Sequence, residues 1–209
     1  MHGATVPLVF LVVLVCASWA VHAWHYTARE RDLNSSIRRL ETSLHRARHC
    51  PLTGLITRDG FELAAADLIA QTTRRRDASC TYVGLVDADY LKRTNDRHGH
   101  AGGDAHLRAI ADRLRAFCGS DGIAGRIGGD EFAVVVTLDP VDAGPRIREL
   151  KRALSQPVTH GERVLDVTAS VGFCNAHRAR VPLSLSDALQ AADMKMYEFK
   201  PSKRRRRRT

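Results

Sequence analysis

The sequence predicts an α+β domain with a central, mostly antiparallel sheet flanked by helices, preceded by one transmembrane helix and a helical linker. Three observations predict it. Apolar patterns run in the order strand, helices, hairpin, helix, strands, helix, which suits a sheet with helices packed on it. Two apolar runs, Ile123 to Ile127 and Phe132 to Leu138, flank a Gly-Gly pair and read as a β-hairpin, in which glycine would supply the positive φ of a tight turn. A long uncharged stretch opens the chain.

That stretch comes first. No charged residue precedes Arg29, and Thr5 to Trp24 reads TVPLVFLVVLVCASWAVHAW. At a helical rise of ~1.5 Å per residue it covers about 30 Å, the hydrocarbon thickness of a bilayer. Trp19, Trp24 and Tyr26 stand where an aromatic belt would lie. Val21-His22-Ala23 would serve as a signal-peptide cleavage site, but no basic region precedes the apolar run, which favours a single-pass anchor over residues 1–28. Arg29, Arg31, Arg38, Arg39, Arg46 and Arg48 follow the segment, so the positive-inside rule places the rest of the chain in the cytoplasm, on the inner membrane.

Residues 29–49 form the linker. Leu33, Ile37, Leu40, Leu44 and Ala47 recur in steps of four and three, a heptad seam free of Gly and Pro. A parallel helical pair and an amphipathic helix lying on its own domain fit it equally well. Pro51 ends the helix, because the residue before a proline is pushed out of the α region.

The elements of residues 50–204 follow in order. Thr53 to Ala70 reads as a helix after a turn at Pro51 to Gly54, and Thr81 to Val86 as a buried strand ending at Asp87-Ala88-Asp89. Gly102 to Phe117 carries Leu107, Ile110, Ala111, Leu114 and Phe117 at helical spacing. The hairpin follows, then a helix over Asp142 to Leu154. Leu165 to Phe173 reads as a strand, hairpin-paired with a short one near Pro157 to His160 across Gly161. Ser186 to Lys200 closes the domain as a helix capped by Ser186.

Composition narrows the function classes. The chain has 209 residues, 44% of them hydrophobic and 26% charged, enough for one domain with a core and too apolar for wholesale disorder. Five cysteines lie scattered, without CxxC spacing, which argues against a disulfide scaffold or a zinc ribbon. Lys203 and Arg204 to Arg208 supply six of the nine net positive charges, so the basic character belongs to the tail. For the tail, residues 205–209 with their basic neighbours, a solvated end ranks first, contact with anionic lipid second and nucleic acid last. His98, His100 and His106 lack cysteine partners and read as structural rather than zinc ligands.

Carboxylates gather at two turns: Asp87 and Asp89 at the end of a strand, Asp130 and Glu131 at the tip of the hairpin. If those strands are neighbours, both pairs meet at one sheet edge. Hard oxygen ligands on rigid turns suit Mg²⁺, which binds through one or two carboxylates and leaves the rest to water and phosphate. Gly128 and Gly129 leave room for a phosphate to approach the backbone.

Gly128-Gly129-Asp130-Glu131-Phe132 resembles the signature of the GGDEF family of diguanylate cyclases, built on a palm-like nucleotidyl cyclase fold. Pro51-Leu52-Thr53-Gly54-Leu55 resembles the family's start motif DxLTGLxNRR, and Asp87 to Asp96 its DxDxFKxxND segment. Gly99-His100, Gly103-Asp104, Ala192-Asp193 and Lys200 follow at matching spacing. The resemblance implies condensation of two GTP into cyclic di-GMP and two pyrophosphates by a homodimer, because each domain binds one GTP. It implies that Asp87, the Ala88 carbonyl and Asp130 hold Mg²⁺ or Mn²⁺, and that Glu131 assists deprotonation of the 3′-hydroxyl or adds a metal ligand. It implies guanine contacts from Asn95 and Asp104, and phosphate contacts from Lys92, Lys200, Arg204, Gly128 and Gly129.

Departures from the family pattern matter as well. Cys50 stands where the start motif has Asp, and Thr57 and Asp59 replace its Asn and second Arg. Leu91 replaces a Phe, and Lys203 stands where Gly is usual. Gly119-Ser120-Asp121-Gly122 occupies the place of the RxxD product-binding site without an arginine, so product inhibition through that site is not expected. The altered start motif leaves a second reading, a catalytically weak or inactive GTP-binding effector module.

Overall fold

The computed structural model describes residues 18–19, 22–27, 29–39, 43, 48–74, 79–177 and 183–200. The chain divides into two units, Met1–Arg46 and Ala47–Thr209. In the first, residues 22–27 and 29–39 are helical, and Leu33 and Ile37 of the heptad seam are exposed. Leu40, Leu44 and Ala47 lie outside the described residues, as does most of the apolar segment. Among the described residues no helix is long and apolar enough to cross a membrane.

The second unit is an α+β domain. Its elements are β1 (Ile56–Thr57), α1 (Arg58–Arg74), β2 (Cys80–Ala88), α2 (Leu91–Cys118), β3 (Gly122–Arg126), β4 (Glu131–Leu138), α3 (Pro140–Leu154), β5 (Val158–His160), β6 (Arg163–Leu165), β7 (Ala169–Asn175) and α4 (Leu185–Phe199). The main sheet has the order β1-β3-β4-β2-β7. It is mixed: β1 runs parallel to β3, and the other three pairings are antiparallel. The pleat of β4 explains the layers. Phe132, Val134 and Val136 face one way and join Ile110 and Leu114 of α2 and Leu150 and Leu154 of α3 in one core. Ala133 and Val135 face the other way and join Phe61 and Ile69 of α1 and Ala188 and Met196 of α4. With helices on both faces, the central strands are buried on both sides and read as near-continuous apolar runs.

Several boundaries differ from the sequence reading, each for a local reason. The first helix starts at Arg58, not Thr53. Residues 50–55 form a tight loop instead, closed by Gly54 N to Cys50 O (2.8 Å) and Cys50 N to Leu55 O (2.7 Å), with Gly54 at φ 68°. Ile56 and Thr57 then pair with β3. The second helix begins at Leu91, eleven residues early, and breaks at Gly99 (φ 70°, ψ 176°), a conformation open to glycine. Its first two turns are polar and show no apolar stripe.

The expected strand from Leu165 to Phe173 divides into β6 and β7. The Thr168 carbonyl between them accepts from Asp89 N (3.0 Å) and His106 Nε2 (3.2 Å). β5 and β6 form their own two-stranded sheet, turned at Gly161 (φ 61°). The last helix is capped by Ser184 rather than Ser186: Ser184 Oγ accepts from Asp187 N (3.1 Å) and donates to the Asp187 carboxylate (2.7 Å).

Candidate active site

The register of β2 against β4 places Asp87 opposite Glu131. One residue on, Ala88 N donates to the Asp130 carbonyl at 2.9 Å. The two acidic turns therefore meet at one sheet edge, as the sequence suggested. β7 closes the other flank, with Ser170 opposite Asp87.

The four carboxylates differ in environment. Asp89 is buried, and its carboxylate accepts the single Ser170 hydroxyl proton, with Oγ 2.8 and 3.0 Å from its two oxygens. Burial pushes its carboxyl above the usual range, only partly offset by the Ser170 hydroxyl. That side chain braces β2 to β7. Asp87 is half-buried and pairs with Lys200 Nζ, 2.8 Å from Oδ2. Burial would lower the Lys200 ammonium, but the Asp87 bond and the charges of Asp87, Asp89 and Asp130 outweigh it and hold it raised. Asp130 is exposed at the tip of the loop.

Glu131 is half-buried and folds back over the turn. A Cβ on Gly128 would stand 2.6 Å from Glu131 Oε2. Glycine is needed there for that approach and not for a positive φ: neither Gly128 nor Gly129 takes the left-handed region, contrary to the sequence reading. Beyond its chain neighbours, a Cβ on Gly129 would meet nothing among the described residues within 4 Å. The Glu131 carbonyl accepts from Ile127 N (2.9 Å) and Gly128 N (3.1 Å), which closes the turn.

The break at Gly99 brings Asn95 against Gly103, the residue before Asp104. Asn95 lies before it and Asp104 after it, and a Cβ on Gly103 would overlap Asn95 Oδ1. Asp104 keeps a carboxylate open to solvent, 3.8 Å from Arg108. A carboxylate accepts from the N–H donors of a base edge, and an amide can both donate and accept there. Lys92 is exposed at the second residue of α2. Arg204 lies outside the described residues, and so does the basic tail.

The donor set suits a hard divalent cation. Among the described residues no group of three His, Cys, Asp or Glu converges as a closed metal cage. Asp87 and Asp130 beside a backbone carbonyl match an ion that keeps water and phosphate among its ligands. His106 is buried and bonded to Thr94 (3.4 Å) and Thr168, so it serves the fold.

Three arginines hold the turns, beyond what the sequence reading gave them. Arg126, at the end of β3, donates to the Gly129 carbonyl and to Cys50 Sγ. Arg58 Nε donates to Ile127 O (3.0 Å), and Arg115 Nη2 to Thr53 O (2.8 Å). Arg126 stands two residues before the glycine pair, a position that could have marked it. Arg115, on an exposed helix face, carries no such signal.

Comparison with known proteins adds to this geometry. The family model described as "Diguanylate cyclase, GGDEF domain" matches residues 47–206. The chain is 40% identical over 200 residues to an uncharacterized 19.3 kDa protein in the repSA 5′ region of Streptomyces ambofaciens, covering 95% of this chain and 96% of that one. It is 33% identical over 163 residues to the diguanylate cyclase DgcN of Escherichia coli K12, covering 75% of this chain and 38% of DgcN. The crystal structure of a sensory box/GGDEF family protein from Caulobacter crescentus CB15 superposes with a TM-score of 0.64 at 30% identity, over 73% of this chain and 97% of that one.

Proposed function

The chain belongs to the GGDEF family of diguanylate cyclases, and from that premise we propose that it condenses two GTP into cyclic di-GMP and two pyrophosphates. The observation that carries the reading is the joining of the two acidic turns by the Ala88–Asp130 hydrogen bond, with Lys200 on Asp87.

In this reading Asp87, the Ala88 carbonyl and Asp130 hold Mg²⁺ or Mn²⁺, which draws negative charge from the triphosphate when bound. Each 3′-oxygen forms a bond to the α-phosphorus of the other GTP, the bond from that phosphorus to pyrophosphate breaks, and the hydroxyl proton leaves. Glu131, folded over Gly128, takes that proton. Lys200, Lys92 and Arg204 hold the departing pyrophosphate by charge-assisted hydrogen bonds. Asp104 accepts from the two adjacent N–H donors of guanine, and Asn95 adds an amide beside it. Gly128 and Gly129 admit the phosphates close to the backbone. Reaction between two bound GTP needs two domains face to face, so the active form is a homodimer, and the heptad seam of residues 29–49 supports pairing.

Anchoring of the N-terminal segment in the inner membrane, with the catalytic domain on the cytoplasmic side, rests on the apolar run and the arginines after it. The missing arginine in residues 119–122 supports a cyclase without product inhibition at that site. The test is incubation of the full-length chain with GTP and Mg²⁺, with products resolved by chromatography and mass. Cyclic di-GMP with two pyrophosphates per dinucleotide is expected from the wild type and not from Glu131→Ala. GTP binding without any dinucleotide would assign the effector reading instead.

A further inference from the structure

Arg126 holds the signature turn through the Gly129 carbonyl, and its guanidinium also reaches the loop at Cys50. Nη2 donates to the Gly129 carbonyl, Nη1 donates to Cys50 Sγ at 3.4 Å, and Nε is buried with no partner among the described residues. The sulfur is well placed to steer it. Cys50 is fixed by the loop bonds to Gly54 and Leu55, and the neighbouring Thr53 carbonyl is held by Arg115. β1 then pairs with β3, Thr57 standing opposite Arg126.

We propose that Cys50 is a positioning residue for the signature turn: its sulfur orients Arg126, Arg126 fixes Gly129, and the chain's entry into the domain is thereby coupled to Asp130 and Glu131. The role rests on the cyclase reading above.

The sulfur's acceptor strength changes with its proton. A thiolate accepts strongly from a guanidinium, a thiol weakly. Burial raises the Cys50 thiol, but hydrogen bonds from the Thr53 hydroxyl and N–H, Arg126 and the Leu52 N–H outweigh it and bring it down to about 7. By contrast, burial pushes the Cys118 thiol up to about 12. Arg126 of β3 bonds the sulfur, Arg115 of α2, paired with Asp112, bonds the Thr53 carbonyl of the same loop, Arg48 and His49 precede Cys50 in the chain, and Arg58 and Glu62 follow the loop in α1. The family's start motif has Asp at this position, so Cys50→Asp supplies an acceptor that stays charged where the thiolate is lost.

Two measurements on the full-length chain test the relay. The first follows alkylation of Cys50 by iodoacetamide against pH, read by peptide mass, with Cys118 as the slow internal reference. Half-maximal reactivity near pH 7 is expected in the wild type, moving up by about one unit in Arg126→Gln. The second is the turnover ratio of Cys50→Asp to wild type. Near pH 6 only about a tenth of the wild-type sulfur is ionised, so the ratio should rise several-fold between pH 8 and pH 6, mainly in kcat rather than KM. The rise should persist when His49→Asn is placed in both backgrounds. A flat ratio, a rise abolished by His49→Asn, or an alkylation profile unmoved by Arg126→Gln overturns the proposal. The alkylation arm needs no turnover, so absence of any dinucleotide product would count against the cyclase reading alone.

Discussion

Lys200 Nζ lies 2.8 Å from Asp87 Oδ2 across 113 positions of sequence, tying the end of the last helix to the strand that carries the leading candidate metal ligand. The pair is partly exposed, so solvent weakens its contribution to stability. Its interest lies in competition: an ammonium and a divalent cation draw on the same carboxylate.

Lys200→Met should therefore separate two effects. Asp87 loses its internal partner, so half-saturation should need less Mg²⁺. Turnover should fall about 10- to 100-fold, the scale of a lost charge-assisted hydrogen bond to the leaving group. Initial rates against Mg²⁺ at saturating GTP measure both.

Gly128→Ala should disable Glu131 with little harm to the fold, because the added Cβ would meet the free end of a carboxylate 2.6 Å away. Turnover should fall at least about tenfold, on the scale of lost general base catalysis. Beyond its chain neighbours, a Cβ at Gly129→Ala meets no atom of the described residues within 4 Å. Its loss should appear in KM for GTP, reporting the close approach of phosphate. Steady-state kinetics on the two variants, with thermal melts as control, make the comparison.

Asp104→Asn should exchange base preference. The carboxylate accepts two N–H donors, whereas an amide offers one donor and one acceptor. GTP should bind about 10- to 100-fold more weakly, and xanthosine triphosphate should become the better ligand. Competition binding with the two nucleotides decides it.

His106 gives the fold an acid limit. Burial holds its imidazole below the ordinary value, with the Thr168 carbonyl opposing and Arg113 adding to the depression. The unfolded chain binds the proton first, so this contribution is complete above about pH 6.5 and is lost as pH falls below it toward the lower folded value. The urea midpoint should drop between pH 7.5 and pH 5 by more in the wild type than in His106→Gln.

Much of this fold was legible because burial writes periodicity. β2, β4 and the later turns of α2 carry apolar patterns that only those elements satisfy, and the acidic turns announced themselves by spacing. The first two turns of α2 were missed because they are polar, although Lys92 and Asn95 sit on them. Likewise the start of α1 was placed at Thr53 instead of Arg58 because a short strand, Ile56–Thr57, exists only by pairing with β3. Ser170 beneath Asp89 left no trace, since a single hydroxyl on a strand has no pattern. The glycine pair was recognised but for a different physical reason: Gly128 makes room for Glu131 and needs no left-handed turn.

The central claim is that the turns bearing Asp87 and Asp130 form one divalent site for the triphosphate. It is tested most directly by Mn²⁺ binding, read by electron paramagnetic resonance, to the full-length chain with a GTP analogue that cannot react at the α-phosphate. Bound Mn²⁺ in the wild type, lost alike in Asp87→Asn and Asp130→Asn but retained in Asp89→Asn, is the predicted result. Unchanged Mn²⁺ binding in either Asp87→Asn or Asp130→Asn would contradict it.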